Sequence, residues 1–574
     1  MKIVLALLIL MFVTPVIFGQ HLTSTAHTGV PSVPVGEDVY LYLRHLSVRG
    51  LIDNFDESSL PLSENEITIL LQEAFSKDIS QAEKENIIKY LRTYERIPFG
   101  AVTMFASEEG TPFFFDGIFD VEKNKYLYQW QDTATISNLQ VNFVGGVEYR
   151  HRSIPESADA ALGLIGGRFK GTLSGHVGYY MQTTNGQSFG DSSIALEDPV
   201  IGKNKNFVDY SHHTFYDNTT AELAYNNDWF TGKIARAPIS FGGGFQMDNI
   251  IINPNVPYYD VVSLSGKVKA VQYTAVVASL LGDPRYSDGA DSNADNYGPG
   301  AYIDPKYYAL HHLNISLGSD LDFGFTDVVI FSDRFEFAYL NPFSFLKSAE
   351  HSTNDRDNGL LAAHIRWRFA KGLEFRGQGL MDDIVASRIG DGYWGNKFAW
   401  QAGLMWAAPF GLTDVDVAAE YTQVQPYTYS HFNPQNAFVT SGSILGSQIG
   451  PNSMSVWGQI RWIPSWQWKF SLTTKYIARG ENIYDSTGAL LVNYGADVEQ
   501  SVSSEEDKQR SYRLLEGNRV NVIALEAYAG YEPFRGYEIF GRIYNKSVDY
   551  PGGASIDPIE TPYRLFTLGV KTTF

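Results

Sequence analysis

From about residue 138 to Phe574 the chain alternates, residue by residue, between oil-seeking and water-seeking side chains. In LLAAHIRWRF the odd positions Leu361, Ala363, Ile365, Trp367 and Phe369 are apolar, and the even ones include His364, Arg366 and Arg368. In GLEFRGQGLMDD, Leu373, Phe375, Gly377, Gly379 and Met381 form one row, while Glu374, Arg376, Gln378 and Asp382 form the other. In WQWKFSLTTKY, Trp466, Trp468, Phe470 and Leu472 oppose Gln467, Lys469, Ser471, Thr473 and Lys475. Successive side chains of a strand point to opposite faces, so these are two-faced strands, one face for oil and one for water. Beyond the first twenty residues there is no run of about 18 apolar residues, so the pattern predicts no membrane-spanning helix.

A soluble β-sandwich also alternates, but two features favour a membrane barrel. The polar rows carry ionised residues of both signs on neighbouring strands, which suits a wet lumen. Aromatics make up 14% of the chain, an enrichment that favours strands, and they gather near turns. Trp462, Trp466 and Trp468 surround an Ile-Pro-Ser turn, and Trp400 and Trp406 share a face. A membrane interface selects such bands. Short turns (IPSW, YNNDW, YEPFRGY) alternate with long polar loops near 184–218, 283–303 and 480–517, as in outer-membrane barrels. Candidate strands number roughly 17 to 19, and a closed bacterial barrel prefers an even count. The expectation is an all-β transmembrane barrel of about 18 antiparallel strands, closed so that no sheet edge lies open in lipid. The last strand, LFTLGVKTTF, puts Phe566, Leu568, Val570, Thr572 and Phe574 on its outward row. This ending resembles the signal read by the barrel-assembly machinery, an expected partner during insertion, with outer-membrane lipid around the finished barrel.

The N-terminal part reads differently. Lys2 precedes an apolar run from Ile3 to Phe18, then Gly19 and Gln20. This is the pattern of a cleaved secretory signal peptide, assigned to residues 1–19, and the expected address is the outer membrane of a Gram-negative-type bacterium. Residues 20–35 form a linker and residues 36–100 a helical segment. GEDVYLYLRHLSVRGLI places Val39, Tyr42, Leu43, Leu46 and Leu51 at helical spacing, with Gly50 as the stop. PLSENEITILLQEAF opens with Ser63 and Glu66 in capping-box spacing, followed by an apolar face of Ile67, Leu70, Leu71 and Phe75. SQAEKENIIKYLRTY repeats the device with Ser80 and Glu83 ahead of Ile87, Ile88 and Leu91. Each stripe must be buried against the others or against the barrel, which predicts a small N-terminal α-helical bundle of about three short amphipathic helices. Residues 101–137 are a transition to the barrel at 138–574. The chain has no cysteine, so disulfides, thiolate metal sites and a lipidated cysteine are excluded. A net charge of −20 disfavours nucleic acid as a partner.

Several segments, taken in order, resemble the capsule-assembly Wzi family of outer-membrane barrels. They are YLRHLSVRGLIDNFDESSLPLSENEI in the head, KIARAPISFGGGFQMDNIIINPNVPYYDVVSLSG, YYALHHLNISLGSDLDFGFTDVVIFSDRFEFAYLNPFSFL and then LMDDI. The resemblance spans most of residues 36–385 and fades toward the C-terminus. The head is also similar to S-layer-homology modules, which usually carry an Arg where Asn65 stands; both resemblances end in polysaccharide. Membership of the Wzi family implies a non-catalytic lectin that retains capsular or extracellular polysaccharide at the cell surface, with a lumen plugged by helices. Sugars are held by aromatic faces and planar polar groups, and an acidic glycan by guanidinium. The lumen and rim candidates are Arg236, Arg334, Glu336, His364, Arg366, Arg368, Glu374, Arg376, Asp382 and Asp383, with the loop aromatics Tyr393 and Trp394 for stacking. Against this stands the commoner role of charges inside a barrel, which is to pair with one another. The competing function is a porin or substrate-specific channel.

Enzymatic chemistry finds little support. Asp382 and Asp383 are adjacent, and neighbours on a strand cannot flank one bond. His212–His213 and His311–His312 face the same objection as metal pairs. FGGGF at 241–245 lacks the Lys-Ser/Thr of a phosphate loop, and its glycines suit a tight or bulged backbone. Asp283, Asp288, Asp291 and Asp295 depart from calcium-loop spacing and read as a solvated loop, as does EQSVSSEEDKQR at 499–510. No cofactor and no metal are expected.

Overall fold

The computed structural model describes residues 29–53, 55–94, 102–104, 117–196, 201, 208–210, 213–283, 303–502, 504–552 and 560–574. The expected signal peptide and the aspartates 288, 291 and 295 lie outside them, as does His212. The alternating sequence forms a closed barrel of 18 antiparallel strands. In chain order these are β1 (Ser137–Ile154), β2 (Ala158–Leu173), β3 (Val177–Gly190), β4 (His213–Asn226), β5 (Phe230–Arg236) and β6 (Asp260–Val268). They continue with β7 (Val271–Leu280), β8 (Lys306–Ser316), β9 (Leu321–Ser332), β10 (Asn358–Ala370), β11 (Leu373–Asp383) and β12 (Lys397–Ala407). The last six are β13 (Val415–Val424), β14 (Ser453–Ser465), β15 (Trp468–Glu481), β16 (Asn518–Phe534), β17 (Tyr537–Asp549) and β18 (Tyr563–Thr573).

Each strand pairs with its successor, and β18 pairs with β1, for example Thr567 with Arg150 and Val570 with Val147. Phe574 extends that seam: its backbone exchanges hydrogen bonds with Phe143, and its ring packs against Phe143 and Tyr537. The row assignments hold. Trp367 and Phe369 of β10 face outward and are exposed, whereas His364, Arg366 and Arg368 are buried inside. Phe566, Leu568 and Val570 are exposed on the outer face of β18, and Leu565 and Thr567 are buried on the inner one. His311 and His312 likewise point to opposite faces: His312 hydrogen-bonds Ser58 of the head, while His311 lies against Tyr273 of the outward row. Among the described residues no helix is long and apolar enough to cross a membrane; the strands do the crossing.

The two ends of the barrel differ. One carries short turns, such as those at 174–176, 269–270, 371–372 and 535–536, and the exposed Trp229, Trp367, Trp462 and Trp468 sit beside turns at this end. The other carries long loops, such as 237–259, 333–357, 425–452 and 482–517.

The head lies inside the short-turn end. It comprises α1 (Asp38–Val48), α2 (Glu64–Phe75) and α3 (Gln81–Tyr94). Gly50, at φ +74°, ends α1; its N–H reaches Ser47 O and that of Leu51 reaches Leu46 O, a Schellman closure that only a left-handed residue permits readily. Ser63 and Glu66 cap α2 reciprocally, and Ser80 and Glu83 do the same for α3. Val39, Leu43, Leu46, Ile67, Leu71 and Ile87 form the head's core. Two stripes differ from expectation. Phe75 is exposed at the end of α2, with Ala74 buried in its place. On α3 the buried row is Glu83, Asn86, Ile87, Tyr90 and Tyr94, not Ile88 and Leu91. Glu83 meets His45 and Arg49 of the α1 end, and Asn86 donates to Ala82 O of its own helix, so the row buries polar groups that find partners within the head.

Loop 237–259 turns into the lumen instead of out to solvent. Its Ser240–Phe241 pairs with Ser59–Leu60 of the head, so head and loop are sewn together. Gly242 (φ +131°) runs so close to the wall that a Cβ there would come within 2.6 Å of Gln378, the tight backbone that FGGGF implied. Loop 333–357 instead folds down over the outer face of β7–β9. There Tyr339 and Leu346 join the outward Ala309, Val329 and Phe331 in one cluster, and the Leu346 N–H donates to the outward carboxylate of Asp327 at 2.6 Å. This flap covers polar groups of the outward row, Asp327 among them.

Leu568 sits mid-strand on the outer row of β18. Leu568→Arg is expected to destabilise the folded barrel in phosphocholine vesicles by about 2–4 kcal/mol, read as a shift of the urea midpoint by heat-modifiable gel mobility. Leu568→Ile should leave the midpoint nearly unmoved, and an unshifted midpoint for Leu568→Arg would mean that this row does not meet lipid.

Candidate functional site

A charged side chain inside a protein must be paired to be tolerated, and the lumen meets that demand by joining head to wall. Arg44 of α1 makes a fork with Glu57, Nη2 to Oε1 at 2.6 Å and Nε to Oε2 at 2.9 Å. Arg376 of β11 reaches the same carboxylate at 2.9 Å and Glu374 at 2.7 Å. Glu374 also accepts from Arg366 of β10 at 3.2 Å, and Arg366 continues to Asp322 of β9. The ring of Phe245, from the inward loop, lies 4.6 Å from the guanidinium of Arg376 and 5.7 Å from that of Arg44. Arg368 pairs with Asp320 at 2.6 Å and donates to the carbonyl of Ser47 at the end of α1, where it meets the helix's negative pole. Burial would raise the Glu57 pKa, but the two guanidiniums hold it below the usual carboxylate value.

Two further clusters tie down the rest of the head. His45 contacts Asp416 of β13 at 2.6 Å and Glu83 at 3.5 Å, Arg49 meets Glu83 at 3.0 Å, and Arg461 of β14 meets Asp416 at 2.6 Å. Asp38 and Glu538 share Lys469 at 2.5 and 2.9 Å, and Lys89 meets Glu532 at 2.6 Å. Burial opposes charge on His45, yet the neighbouring carboxylates outweigh it and raise its pKa. Glu83, despite its burial, is drawn down to about 2 by His45, the Ser80 cap and Arg49.

The structure brings His364, Arg366, Arg368, Glu374 and Arg376 together, and it commits the four charged members to ion pairs. The His364 ring stacks on His312 at 5.4 Å. Asp382 is buried and accepts the Tyr429 N–H at 2.7 Å; Asp383 is exposed beyond it, and Lys397 bonds it at 3.2 Å. Tyr393 and Trp394 lie side by side in loop 384–396, with the Arg388 guanidinium 3.8 Å from the Tyr393 ring. Arg334 and Glu336 are not in the lumen or on its rim. β9 ends at Ser332, Asp333 turns the chain at φ +69°, and both residues ride on the flap outside the wall, where Arg334 pairs with Glu336 and Asp357 at 3.2 and 3.0 Å.

Arg236 is set apart from all of these. It lines a cavity of about 610 Å³ at the loop end, together with Asn218, Asn255, Tyr258, Tyr259 and Asp260, which it pairs with at 3.1 Å. Aromatic rings, amides and a carboxylate in one concave space form the donor and acceptor set that a saccharide needs. The sequence reading did not single out Asn255, Tyr258 or Asp260; the signal was present in NPNVPYYD, a loop tip dense in Asn, Pro and Tyr. β5 stops at Arg236, opposite Ala221 of β4 and Asp260 of β6, and the chain then turns inward. A second cavity, about 540 Å³, opens at the short-turn end among Lys125, Lys170, Lys469, Arg535 and Lys571, and both cavities touch Val35 and Gly36.

No protein-family model and no curated protein matches the chain; solved structures do. Wzi, an outer-membrane carbohydrate-binding β-barrel involved in group 1 capsule assembly in Escherichia coli, aligns over 95% of this chain and 100% of its own, at 12% identity and a TM-score of 0.55. The fold is that of the Wzi barrel. OccAB2 of Acinetobacter baumannii and OprD of Pseudomonas aeruginosa align over 76% of this chain and 98% and 93% of theirs, both at 10% identity, with TM-scores of 0.43 and 0.39. The ordered segments that resembled the Wzi family in sequence therefore belong to a chain that shares that fold.

The docked head should respond to pH with two signs. Glu83 is depressed, so its contribution is present above the ordinary 4.5 and is lost as pH falls toward about 2. His45 is raised, so its contribution is full below 6.5 and is lost as pH rises through its folded value. Protease cleavage within residues 38–94 of the reconstituted protein should be slowest between those limits. Replacing His45 with Gln should abolish the alkaline limb and shift the acid limb upward in pH, because His45 also holds Glu83 down, and an alkaline limb that survived would mean that His45 does not hold the head.

Proposed function

We propose that this protein is a non-catalytic, surface-glycan-binding barrel of the outer membrane, which holds capsular or extracellular polysaccharide at its loop end while the helical head plugs the periplasmic end. The observation that carries the reading is the loop-end cavity, where Tyr258, Asn218, Asn255 and Arg236 converge in a space large enough for a few sugar rings. The shared fold with a carbohydrate-binding barrel supports it. In this reading Arg236 is a ligand group, with Tyr393, Trp394 and Asp383 as further contacts on the loop side. His364, Arg366, Arg368, Glu374 and Arg376 serve the plug, and Asp382 the loop that covers it. Export through a cleaved signal at residues 1–19, the domain limits 20–35, 36–100, 101–137 and 138–574, insertion by the barrel-assembly machinery and a coat of outer-membrane lipid complete the proposal.

One observation favours a second reading, a substrate-specific channel: the cavities at the two ends both reach Val35 and Gly36, which leaves a thread of space past the head. Two measurements separate the readings. Deleting the protein from cells that make the polysaccharide should raise released over cell-attached material severalfold without lowering the total, and Tyr258→Ala should weaken binding of the purified polysaccharide by about tenfold, on the order of 1.4 kcal/mol. In planar bilayers the wild-type protein should be silent. Arg376→Met, which cuts the link between head and wall by leaving Glu57 to Arg44 alone and Glu374 to Arg366 alone, should give channel openings. Steady wild-type conductance with unchanged polysaccharide retention would establish the channel instead.

A further inference from the structure

We infer that the cavity at the short-turn end is a second binding site, which takes a carboxylate-bearing glycan from the periplasmic side, with Lys571 as its contact cation and Lys125 and Arg535 supplying positive field behind it. The inference goes beyond the loop-end reading, whose ligand groups lie at the other end of the barrel.

The charge balance of the lining carries the inference. Around Glu57 and Asp416 the cations have carboxylate partners, but around this cavity of about 540 Å³ three cations do not. Lys469 is taken by Asp38 and Glu538, Lys89 by Glu532 and Lys170 by Glu64, at 2.5–2.9 Å; Arg168 and Glu37 lie 3.8 Å apart. Among the described residues no carboxylate comes within ion-pair reach of Lys125, Arg535 or Lys571. Lys125 and Arg535 are 5% and 6% exposed. The Lys125 ammonium donates to the carbonyls of Asp120, Lys123 and Arg535 at 2.8, 2.9 and 3.1 Å. Arg535 donates through Nη2 to Lys89 O and Thr93 Oγ1 at 2.8 and 2.6 Å, and its Nε is buried without a partner. Neutral oxygens solvate these two cations and leave their charge uncompensated, and burial draws the Lys125 ammonium down to about 8. Lys571 stands on the inner row of β18, exposed to the cavity. Its ammonium lies 4.4 Å from the ring of Phe540, and its cross-strand neighbour Glu538 is committed to Lys469. Buried charge calls for an opposite charge, and an anion in the cavity supplies it.

The rest of the lining identifies the class of anion. Tyr90, Tyr94 and Tyr537 and the amides of Asn124 and Asn142 share the space, and planar polar groups beside aromatic rings suit hydroxylated rings. The space continues as a groove of about 290 Å³ along the inner faces of β14–β17, which shares Lys89, Lys469 and Lys571 and adds Gln459, Gln467, Ser471 and Tyr528. A strand of sugar rings bearing carboxylates uses both sets. Its charges meet the ammonium and guanidinium groups, and its hydroxyls meet the amides and phenols; an acidic peptide has no ring hydroxyls for the second set. The loop-end cavity, with Asp217 and Asp260 beside Arg236, lacks this surplus of positive charge.

The test uses the full chain in nanodiscs at low salt, with fluorescent tetragalacturonate and neutral galactotetraose as probes. The acidic probe should bind more tightly by about tenfold, and added salt should erase the difference. Lys571→Gln should remove the acidic preference and Lys571→Arg should keep it, while Tyr258→Ala, at the loop end, should leave it unchanged. A hexaglutamate peptide should bind about tenfold more weakly than tetragalacturonate; equal binding makes the site one for any acidic chain and overturns the glycan. Two periplasmic glycans carry such carboxylates, the cell wall and the polysaccharide on its way out. Displacement of the probe by soluble fragments of either supports the inference and names the source, and displacement by neither overturns it. Glu108→Gln combined with Glu109→Gln should leave the affinity as it is; a gain of about tenfold would mean that the chain's own carboxylates fill the cavity, and the inference falls. No preference for the acidic probe, or a preference that survives Lys571→Gln, overturns the second site and leaves the loop-end reading standing.

Discussion

One carboxylate organises the interior. Glu57 is gripped by Arg44 from the head and Arg376 from the wall, and Phe245 from the inward loop lies against both guanidiniums. Three separate parts of the chain thus meet at a single buried charge. The chemistry explains why such a centre is needed. A transmembrane barrel turns its apolar row to lipid, so its lumen is polar by construction and cannot be filled with leucine. Ion pairs are the filling that such a wall accepts, provided each charge finds a partner. From Glu57 the network runs through Glu374 and Arg366 to Asp322, and parallel clusters at Asp416 and Lys469 fix α1 and α3 by the same means.

That polarity inversion decides what was legible in the sequence. Strand number, closure, the phase of rows such as Trp367/Arg366 and the two capping boxes could be read directly, because each depends on neighbours in sequence and on a sharp contrast between oil and water. The lumen charges were legible as a group on β10 and β11, but their partners were not. Arg376 and Glu57 lie 319 positions apart, and nothing local marks one for the other. The buried row of α3 was misread for a like cause: Glu83 reads as a cap residue alone until His45 and Arg49 of the α1 end are seen to close on it. Arg334 and Glu336 were misplaced because alternation says nothing about where a chain goes once its strand has ended.

The two loops that leave their strands in unexpected directions solve opposite problems. Loop 237–259 goes inward and carries backbone and amides, whose hydrogen bonds the polar lumen satisfies: the Phe245 N–H donates to Glu420 at 2.6 Å, and Gln401 donates to Asp248 O at 3.2 Å. Loop 333–357 goes outward and carries phenylalanines, covering the polar outward residues His311 and Asp327. Each loop follows the polarity of the face it lies on. The departure of the first also shortens β5 to seven residues.

The order of the chain then constrains how the plug can be held. The head precedes every strand, yet its ion-pair partners run from Lys170 on β2 through Arg376 and Asp416 to Lys469 and Glu532 near the end. Contacts of such sequence separation bring little return until the intervening loop is closed. For this head, closure is supplied by the barrel itself, which brings β2, β11, β13, β15 and β16 around one axis. The plug thus gains its full set of pairs only when the circle is nearly complete, and a head that docks against the wall also ties strands from opposite sides of the circle to one another. Plug and barrel are not a lid and a container; each supplies the charges that make the other's interior tolerable.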